Sequence, residues 1–586
     1  MQRKSLVVSA ACLAALIGLA FIAVAFLPYE VLKGMADSLM RDGNLKILNA
    51  SNAYVFKAWL GFAALALLGL AYAIGWGRMG EVGAWFRAYG ADLVSWARSL
   101  RPARVETGSL IVLLLIVALG VVFRLVYIND VMTHDESYTF AIFGSKSIFL
   151  IVTNYDLPNN HVLNSLLIRF SIGLFGIQPW AVRLPALIAG LLIIPATYGL
   201  AKSIYDRHTG LASALLIAFL PGAVLYSATA RGYSLVALCT VLTLWLASYL
   251  RANKNRFAWS LLILFSALGF YSVPVMLLPF GMVFAWLFFE NLLTGPGPYS
   301  SKISFLKYWL AAGLGTALLV LLLYTPIFIV TGADKVFGNA WVLPRGWNDY
   351  FPSLPGFGLY IWNEWTRGMS PLLTWLLLAG FVSGLIFHRR IAGRGFPLQV
   401  AALLWLIILV VLRRPQLDTK LWASCQAPLM IWCAAGIVGP LRAWNLGSAR
   451  KLPASALAVG ITALLAGISA VRLLPTIPQR WNVKGSAEYT VLFIKDRIEP
   501  DDLIIVKSPY DAPIWYYSAQ YGIGDDHRFD GRRPFEQLYV VVDHGAGQTL
   551  ESVLQVRGPD LELIDVGAAR FLANYQNLDI YVVPHR

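Results

Sequence analysis

The strongest candidates for chemistry are a histidine and two adjacent carboxylates, His134-Asp135-Glu136, which follow the third long apolar run of the chain. Acidic residues at the end of a membrane-length apolar helix are uncommon and indicate a function. Neighbouring carboxylates repel one another's charge, and a carboxylate in such a setting can accept a proton from a hydroxyl nucleophile. The motif predicts an acid–base site at a membrane surface, and the alternative interpretation is a solvated loop start.

Further polar residues follow in the same stretch of the chain. Tyr138, Asp156, Asn160 and His161 lie before the next apolar span and are candidates for substrate binding. Asn and His are equally common as turn and cap residues, so a purely structural role is the alternative for them.

Two arginines lie at the starts of later apolar segments, on the side of the membrane where the acidic motif is expected. Arg183 precedes Leu184-Pro185, and Arg231 precedes Gly232 and Tyr233, which is a further candidate for substrate binding. A guanidinium group stays charged and bonds two phosphate oxygens with its planar fork, so both arginines suit a phosphate at the interface. The alternative is that they reach towards lipid headgroups.

The elements that position these residues must be membrane helices. Of 586 residues, 58% are hydrophobic and 13% are charged, against about 45–50% and about 25% in soluble domains. This composition excludes a soluble enzyme. The apolar runs have about the 17–25 residues that a helix needs to cross the hydrocarbon core, and about 13 such helices are predicted. The predicted spans are residues 6–27, 54–75, 108–128, 183–201, 209–228, 234–250, 257–272, 275–290, 308–330, 372–388, 397–412, 420–440 and 453–474.

The charge pattern predicts the orientation of these helices. The net charge of +15 comes mostly from Arg and Lys in short loops, a pattern that the positive-inside rule explains better than nucleic-acid binding does. It predicts a cytoplasmic N-terminus and an outer location for the acidic motif. Arg413, Arg414 and Lys420 are an exception, since the same count leaves these three cations outside.

The predicted topology divides the chain into three parts. They are an N-terminal part with extra helices and an Arg-rich cytoplasmic loop (1–107), a membrane module (108–474) and a water-soluble α/β tail (475–586). Long outer loops are predicted at 129–182 and 331–371. The first of these is expected to contain an amphipathic helix that lies along the membrane surface. The tail is expected outside, with short strands near 503–506, 538–542 and 580–583. Its aromatic run, 510–517, is expected to fill the core, and stacking on sugar rings is the alternative.

Taken together, the order of these motifs resembles the family 39 membrane glycosyltransferases of the GT-C superfold. These include protein O-mannosyltransferases, lipid A aminoarabinose transferases and lipopolysaccharide-core galacturonosyl transferases. The resemblance covers roughly 108–475. It is carried by His134-Asp135-Glu136-Ser137-Tyr138, Asn159-Asn160-His161, the Phe175-Gly176 turn, Arg183-Leu184-Pro185 and Ala230-Arg231-Gly232-Tyr233.

The resemblance implies a GT-C fold and an inverting transfer of a hexose or pentose from a polyprenyl-phosphate donor to a lipid, glycan or protein hydroxyl. By this analogy Asp135 is the general base, and Glu136 and His134 position the acceptor or the donor sugar. Arg183, Arg231 and Lys420 would face the phosphate and stabilise the charge that builds up as the sugar departs. A bacterial inner membrane, with the tail in the periplasm, is the implied location.

The chain also departs from the family pattern. Relatives often carry His-Pro-Pro where this chain has Asn159-Asn160-His161, and an Arg-Tyr pair where it has Lys420-Leu421, so Lys420 is the least secure assignment. Some relatives use a divalent metal, which carboxylates and His161 would suit, but no obligatory cofactor is expected. The competing function is a transporter or flippase, which usually shows paired halves and ionisable groups near the middle of the membrane.

Overall fold

The computed structural model describes most of the chain as helices. The first five precede the acidic motif: α1 (Gln2–Ala25), α2 (Tyr29–Leu39), α3 (Ala50–Gly75), α4 (Met79–Ser99) and α5 (Thr107–Leu125). The described residues are 2–39, 50–75, 79–100, 107–338, 343–393, 395–415, 418–444, 459–460, 463–464, 467–468, 485–529, 531, 533–555 and 564–585.

The segment predicted as the first outer loop folds into short helical segments rather than an irregular coil. They are α6 (His134–Thr139), a π-helical turn (Phe140–Gly144), α7 (Ile148–Thr153) and α8 (Val162–Phe175). The last of these has 14 residues and is therefore about 21 Å long, too short to cross a hydrocarbon core of about 30 Å. Its length fits the surface-lying helix that the sequence predicts here.

The remaining helices form the membrane bundle and its connections. Its buried core lies mainly between the helices that follow α8 in the chain. They are α9 (Pro179–Ile204), α10 (Arg207–Phe219), α11 (Pro221–Ser227), α12 (Tyr233–Ala252), α13 (Arg256–Ser272), α14 (Leu277–Thr294), α15 (Lys302–Val330), α16 (Ala333–Phe337), α17 (Trp347–Thr366), α18 (Pro371–Ile386), α19 (His388–Ile391), α20 (Leu398–Arg413) and α21 (Gln426–Trp444).

Fewer helices have full membrane length than the sequence predicts. Within the described ranges, six helices are long and apolar enough to span a membrane, or up to eight if each of two bent pairs forms one span. Five further apolar helices, among them α13, α18 and α20, have only 10–17 residues. The prediction of about 13 spans counted α13, α18 and α20 as full spans, and the last predicted span, 453–474, lies largely outside the described residues.

One bent pair shows how the bundle accommodates a charge. Pro221 lacks an N–H group, so helix α10 ends and α11 starts at a bend of 61°, which leaves carbonyl groups of the last turn of α10 without helical partners. The buried Arg124 of α5 donates to two of them, the oxygens of Ala218 at 3.0 Å and Ile217 at 3.3 Å. Its positive charge also suits the carboxyl end of a helix.

The C-terminal region (residues 485–585) combines a sheet with short helices. Its strand order is β1-β2-β4-β3, with β1 and β2 parallel and the other two pairs antiparallel. The three apolar runs that the sequence singles out lie in β1, β2 and β4. The elements are α22 (Ser486–Lys495), β1 (Leu503–Val506), α23 (Asp511–Tyr521), β2 (Gln537–Asp543), α24 (Leu550–Leu554), β3 (Arg570–Tyr575) and β4 (Leu578–Pro584).

Candidate active site

Helix α6 directs the two adjacent carboxylates to opposite environments. The sequence Thr133-His134-Asp135-Glu136 has the capping-box pattern, and the Thr133 N–H donates to Glu136 Oε1 at 2.8 Å. Successive helical residues point about 100° apart, because a turn contains 3.6 residues. The helix therefore buries Glu136 completely, whereas 39% of the Asp135 side chain remains exposed.

Glu136 forms a closed ion pair with Arg183. Arg183 Nε donates to Glu136 Oε2 at 2.9 Å, and its Nη2 lies 2.5 Å from Oε1. The two side chains are 1% and 2% exposed. Glu136 Oε2 also accepts from the Ala230 N–H at 3.0 Å. The remaining Arg183 donors reach backbone oxygens of the loop after α5, including those of Ile128 at 3.0 Å and Asp130 at 2.7 Å.

This geometry places Glu136 and Arg183 differently from the roles that the resemblance implied. Arg183 uses all three of its nitrogens within the protein and is enclosed, so it does not face a phosphate. Glu136 has both oxygens engaged by Arg183 and by backbone N–H groups, so it does not reach a sugar. The pair instead ties α6 to α9 and to the end of α5.

Asp135 is held by two cationic partners at the open side of α6. Lys420 Nζ lies 2.8 Å from Asp135 Oδ2, and His134 Nδ1 lies 3.8 Å from Oδ1. The neighbouring imidazole of His134 and the charges of Arg231 and Lys420 outweigh burial and lower the pKa of Asp135 well below its usual range. The carboxylate is therefore ionised at neutral pH. Lys420, the least secure of the assignments from the resemblance, thus contacts the candidate base directly.

Arg231 and His161 meet beside this carboxylate. Arg231 Nη1 donates to Thr139 Oγ1 at 2.7 Å and to the backbone oxygen of Asp135 at 3.3 Å. His161 Nδ1 accepts from the Gly232 N–H at 2.8 Å, and its Nε2 lies 3.4 Å from Arg231 Nη2. The Tyr233 ring packs edge-on against His161 at 5.0 Å.

The His161 contacts leave hydrogen-bond donors without an acceptor. Because Nδ1 accepts a bond, a neutral His161 carries its proton on Nε2, which then faces another donor on Arg231. Burial and the charge of Arg231 lower the pKa of His161 well below its usual value, so the ring is neutral. Arg231 Nε is buried and has no hydrogen-bond partner among the described residues. Two donor groups on neighbouring side chains are thus left without an acceptor, which is costly for buried polar groups.

The other predicted binding residues lie in three different settings. Asn160 is buried and fully used within the loop: its amide donates to the Ile151 and Asn154 oxygens at 2.8 and 2.7 Å. Asp156 is 58% exposed and lies 3.8 Å from Lys335, and no described contact joins it to the Asp135 group. Tyr138 is half-buried with its ring 6.0 Å from that of His134, so it borders the open side of the site.

The described residues contain no group of three or more His, Cys, Asp or Glu side chains arranged to hold a metal ion. The carboxylates and His161, which would suit a divalent metal by their type, are engaged instead by Lys420, Arg183 and Arg231.

The sequence alone did not single out Asp511 or Thr139. Thr139 links Arg231 to the backbone of Asp135 through its hydroxyl group. Asp511 starts α23 in the C-terminal region, and its Oδ1 lies 3.2 Å from His134 Nε2. The two residues of this contact are 377 positions apart in the chain. No local pattern could reveal such a contact, although Thr139 is within reach of the acidic motif by helical spacing.

Comparisons with known proteins agree with this architecture. Residues 161–324 match the family described as dolichyl-phosphate-mannose-protein mannosyltransferase. No curated protein gives a significant match by sequence.

Solved structures match over most of the chain. ArnT from Cupriavidus metallidurans in the apo state has a TM-score of 0.53 and 13% identity, and the match covers 80% of this chain and 97% of ArnT. The same protein bound to undecaprenyl phosphate gives a TM-score of 0.54, 14% identity and the same coverage. AglB from Archaeoglobus fulgidus, in complex with an inhibitory peptide and a dolichol-phosphate, gives 0.48 at 14% identity, covering 81% of this chain and 74% of AglB.

At this level of identity the likeness to ArnT shows the fold, and the prediction of a GT-C fold is confirmed. The resemblance to membrane glycosyltransferases related to protein mannosyltransferases and aminoarabinose transferases is confirmed with it. The chain is a multi-pass helical membrane protein with a small sheet near its carboxyl end.

Proposed function

We propose that this protein is an inverting glycosyltransferase. It moves a sugar from a polyprenyl-phosphate donor to a hydroxyl group of a lipid, glycan or protein at the outer face of the membrane. The family match over 161–324 and the ArnT-like fold support this class of reaction. A polyprenyl phosphate is also the lipid with which ArnT was solved.

The convergence of Lys420, Arg231 and His161 beside Asp135 is the observation that carries the proposal. Arg231 Nε and the Nε2 proton of His161 lack an acceptor among the described residues, and the Lys420 ammonium is held there by a partly exposed pair with Asp135. A phosphate group would accept from all three residues. The anomeric carbon of a sugar on that phosphate would then lie near the Asp135 carboxylate.

The reaction follows from these positions. The acceptor oxygen attacks the anomeric carbon, the bond from that carbon to the phosphate oxygen breaks, and its electron pair stays on the phosphate. The acceptor proton passes to Asp135. A phosphodiester becomes a monoester with a charge of about −1.5 to −2, and Lys420 and Arg231 stabilise the added charge. Since the phosphate leaves without protonation, one base is sufficient, unlike the two carboxylates of glycosidases.

Asp135 is a weak base until the donor binds, because His134, Arg231 and Lys420 together lower its pKa. While its pair with Lys420 is intact, the low pKa of Asp135 opposes proton transfer to it. A bound phosphate offers Lys420 a competing partner of higher charge. When Lys420 turns to the phosphate, the pKa of Asp135 rises and the carboxylate is free to receive the proton. Donor binding thus activates the base.

The same proposal includes the surroundings of the site. We assign the N-terminus to the cytoplasm and the C-terminal region to the periplasm of a bacterial inner membrane, as the loop charges favour. We divide the chain into an N-terminal part (1–107), a catalytic membrane module (108–474) and a periplasmic domain (475–586). The donor lipid would then be undecaprenyl phosphate. Neither a metal nor another cofactor is required by this mechanism.

The direct test is turnover of radiolabelled polyprenyl-phosphate sugars by purified protein in nanodiscs. Asp135→Asn is expected to lower kcat by about 10²–10⁴-fold, the usual contribution of a general base. Asp349→Asn, a change at an exposed carboxylate of α17, is the matched control and is expected to keep full activity. EDTA is expected to have no effect.

Three outcomes would contradict parts of the proposal. An Asp135→Asn variant as active as the wild type would exclude Asp135 as the base. Loss of turnover in EDTA would overturn the metal-free mechanism. Failure of every donor to react with any acceptor would overturn the transferase function and favour a transporter or flippase.

A further inference from the structure

The C-terminal region packs directly on the acidic outer loop. Phe140 of the π-helical turn meets the Tyr516 ring edge-on at 5.0 Å, and the Met132 N–H donates to the Tyr517 hydroxyl at 3.2 Å. Met132, Phe140 and Tyr516 belong to one continuous buried apolar cluster that spans both parts. Lys146 and Asp525 add an ion pair at the edge of the same interface.

This packing brings Asp511 to the side of His134 that faces away from Asp135. Asp511 lies in the first turn of α23, and its Oδ1 is 3.2 Å from His134 Nε2. The other ring nitrogen, Nδ1, lies 3.8 Å from Asp135 Oδ1. One imidazole thus lies between a carboxylate of the outer loop and a carboxylate of the C-terminal region. With a carboxylate beside each ring nitrogen, the imidazole carries both protons. Nε2 donates to Asp511, whereas Nδ1 faces Asp135 as a charged pair beyond hydrogen-bond distance.

Charges on every neighbouring element act on this arrangement. His134 faces Asp135 and Asp511, with the Tyr138 ring at 6.0 Å. Beyond them, Arg231 and Lys420 act on Asp135, and Arg528 acts on Asp511. The neighbouring carboxylates of Asp135 and Asp511 raise the pKa of His134 to about 9. The imidazole is therefore charged at neutral pH.

We propose that Asp511 is a positioning residue of the transferase site: it fixes His134, which in turn orients Asp135, so the site is complete only when the C-terminal region is docked. This inference rests on the proposed function. Asp511 touches neither donor nor acceptor in this scheme. It acts through the imidazole, which keeps Oδ1 of Asp135 engaged while Lys420 exchanges between Oδ2 and the phosphate.

The proposal predicts a loss of activity that depends on pH. In Asp511→Asn, His134 loses its second anionic partner and its pKa falls from about 9 towards the ordinary value of about 6.5. At pH 6 the ring remains charged and still orients Asp135. At pH 8 a larger fraction of the ring is neutral in the variant than in the wild type, although Asp135 still raises its pKa. We expect kcat to fall about threefold or more relative to wild type at pH 8, and less than about twofold at pH 6.

Matched variants separate positioning from domain packing. Asp525→Asn removes the Lys146 ion pair from the same interface without reaching His134, and it is expected to keep wild-type kcat at both pH values. Asp511→Glu keeps an anionic acceptor and is expected to restore much of the activity at pH 8. The donor KM is expected to stay constant throughout, because Asp511 does not touch the donor. An equal loss at both pH values, or an Asp525→Asn variant as impaired as Asp511→Asn, would overturn the proposal.

A second measurement needs no turnover. Titration of ¹³C-labelled histidine side chains by NMR, with the His134 signal assigned by its loss in His134→Gln, gives the His134 pKa directly. We expect a value near 9 in the wild type and a clearly lower one in Asp511→Asn. An unchanged value would overturn the inference even if sugar transfer is found. A shifted value without transfer by any donor would contradict the proposed function while leaving the contact between Asp511 and His134 intact.

Discussion

The neighbouring carboxylates of helix α6, Asp135 and Glu136, lie in two regions that differ in their exposure to solvent. Around Asp135 lies an open pair, in which the Asp135 and Lys420 side chains are 39% and 42% exposed. Around Glu136 lies a closed pair, in which the Arg183 and Glu136 side chains are 2% and 1% exposed. Asp135 and Glu136 are adjacent in the helix, yet the Asp135 carboxylate is open to an exchange of partners and the Glu136 carboxylate is not.

The energetics of the two pairs explain this difference. A partly exposed ion pair contributes about 0–1 kcal/mol, so a phosphate can displace one partner at little cost. Removing one partner of a buried pair costs about 3–5 kcal/mol, because the other charge is left without compensation. We therefore expect the closed pair to stabilise the fold and the open pair to take part in binding and proton transfer.

The largest expected effect is on the closed pair. Arg183→Ala leaves the Glu136 carboxylate buried and unpaired, at a cost of about 3–5 kcal/mol in folding free energy. We expect a lower melting midpoint and a lower yield of monodisperse protein in detergent. The double change Glu136→Leu with Arg183→Met is expected to recover part of the loss, since it removes both charges. Arg169→Ala, at an exposed position on α8, is the control. If Arg183→Ala had the melting midpoint of the wild type, the closed pair would not be required for stability and would not differ from the open pair in this respect.

The next effect concerns the open pair and separates stability from activity. Lys420→Met is expected to change folding free energy by less than about 1 kcal/mol. It should lower kcat by about 10²–10³-fold, because a donor to the developing phosphate charge is lost. Melting midpoints and transfer rates measured on one preparation test both statements, with the exposed Lys307→Met as the control. A Lys420→Met variant that is destabilised but has near-normal turnover would contradict this assignment, because the open pair would then serve stability rather than activity.

The smallest expected effect is on the affinity for the donor lipid and concerns Arg231, which lies beside the open pair. Arg231→Lys keeps the charge and loses the fork that satisfies two phosphate oxygens. A hydrogen bond to a charged group contributes about 1.5–3 kcal/mol, so we expect the Kd for undecaprenyl phosphate to rise about tenfold or more. Isothermal titration in detergent measures it, and Arg169→Lys should bind as the wild type does. Unchanged affinity in Arg231→Lys would exclude Arg231 from the phosphate site.

The sequence predicted the location of the site better than the roles of its residues. The acidic motif, Arg231 and His161 are indeed brought together, and the surrounding fold is the one that the motif order indicated. The burial of Glu136 and Arg183 in a closed pair was not predicted, because nothing in their spacing tells which of two neighbouring carboxylates a helix will bury. Asp511 was not predicted, because its contact with His134 depends on how the C-terminal region docks.

Hydrophobicity, charge bias and motif order by themselves determined that this chain is a helical membrane protein, that it has a GT-C fold and that its polar residues cluster beyond the third apolar run. These properties depend on the composition of local segments, and each segment's own residues are sufficient to determine them. Which carboxylate stays open, which cation it meets and which residue of the C-terminal region supports it were decided by tertiary packing. Those contacts join residues separated by up to 377 positions, and only the folded chain brings them within hydrogen-bonding distance.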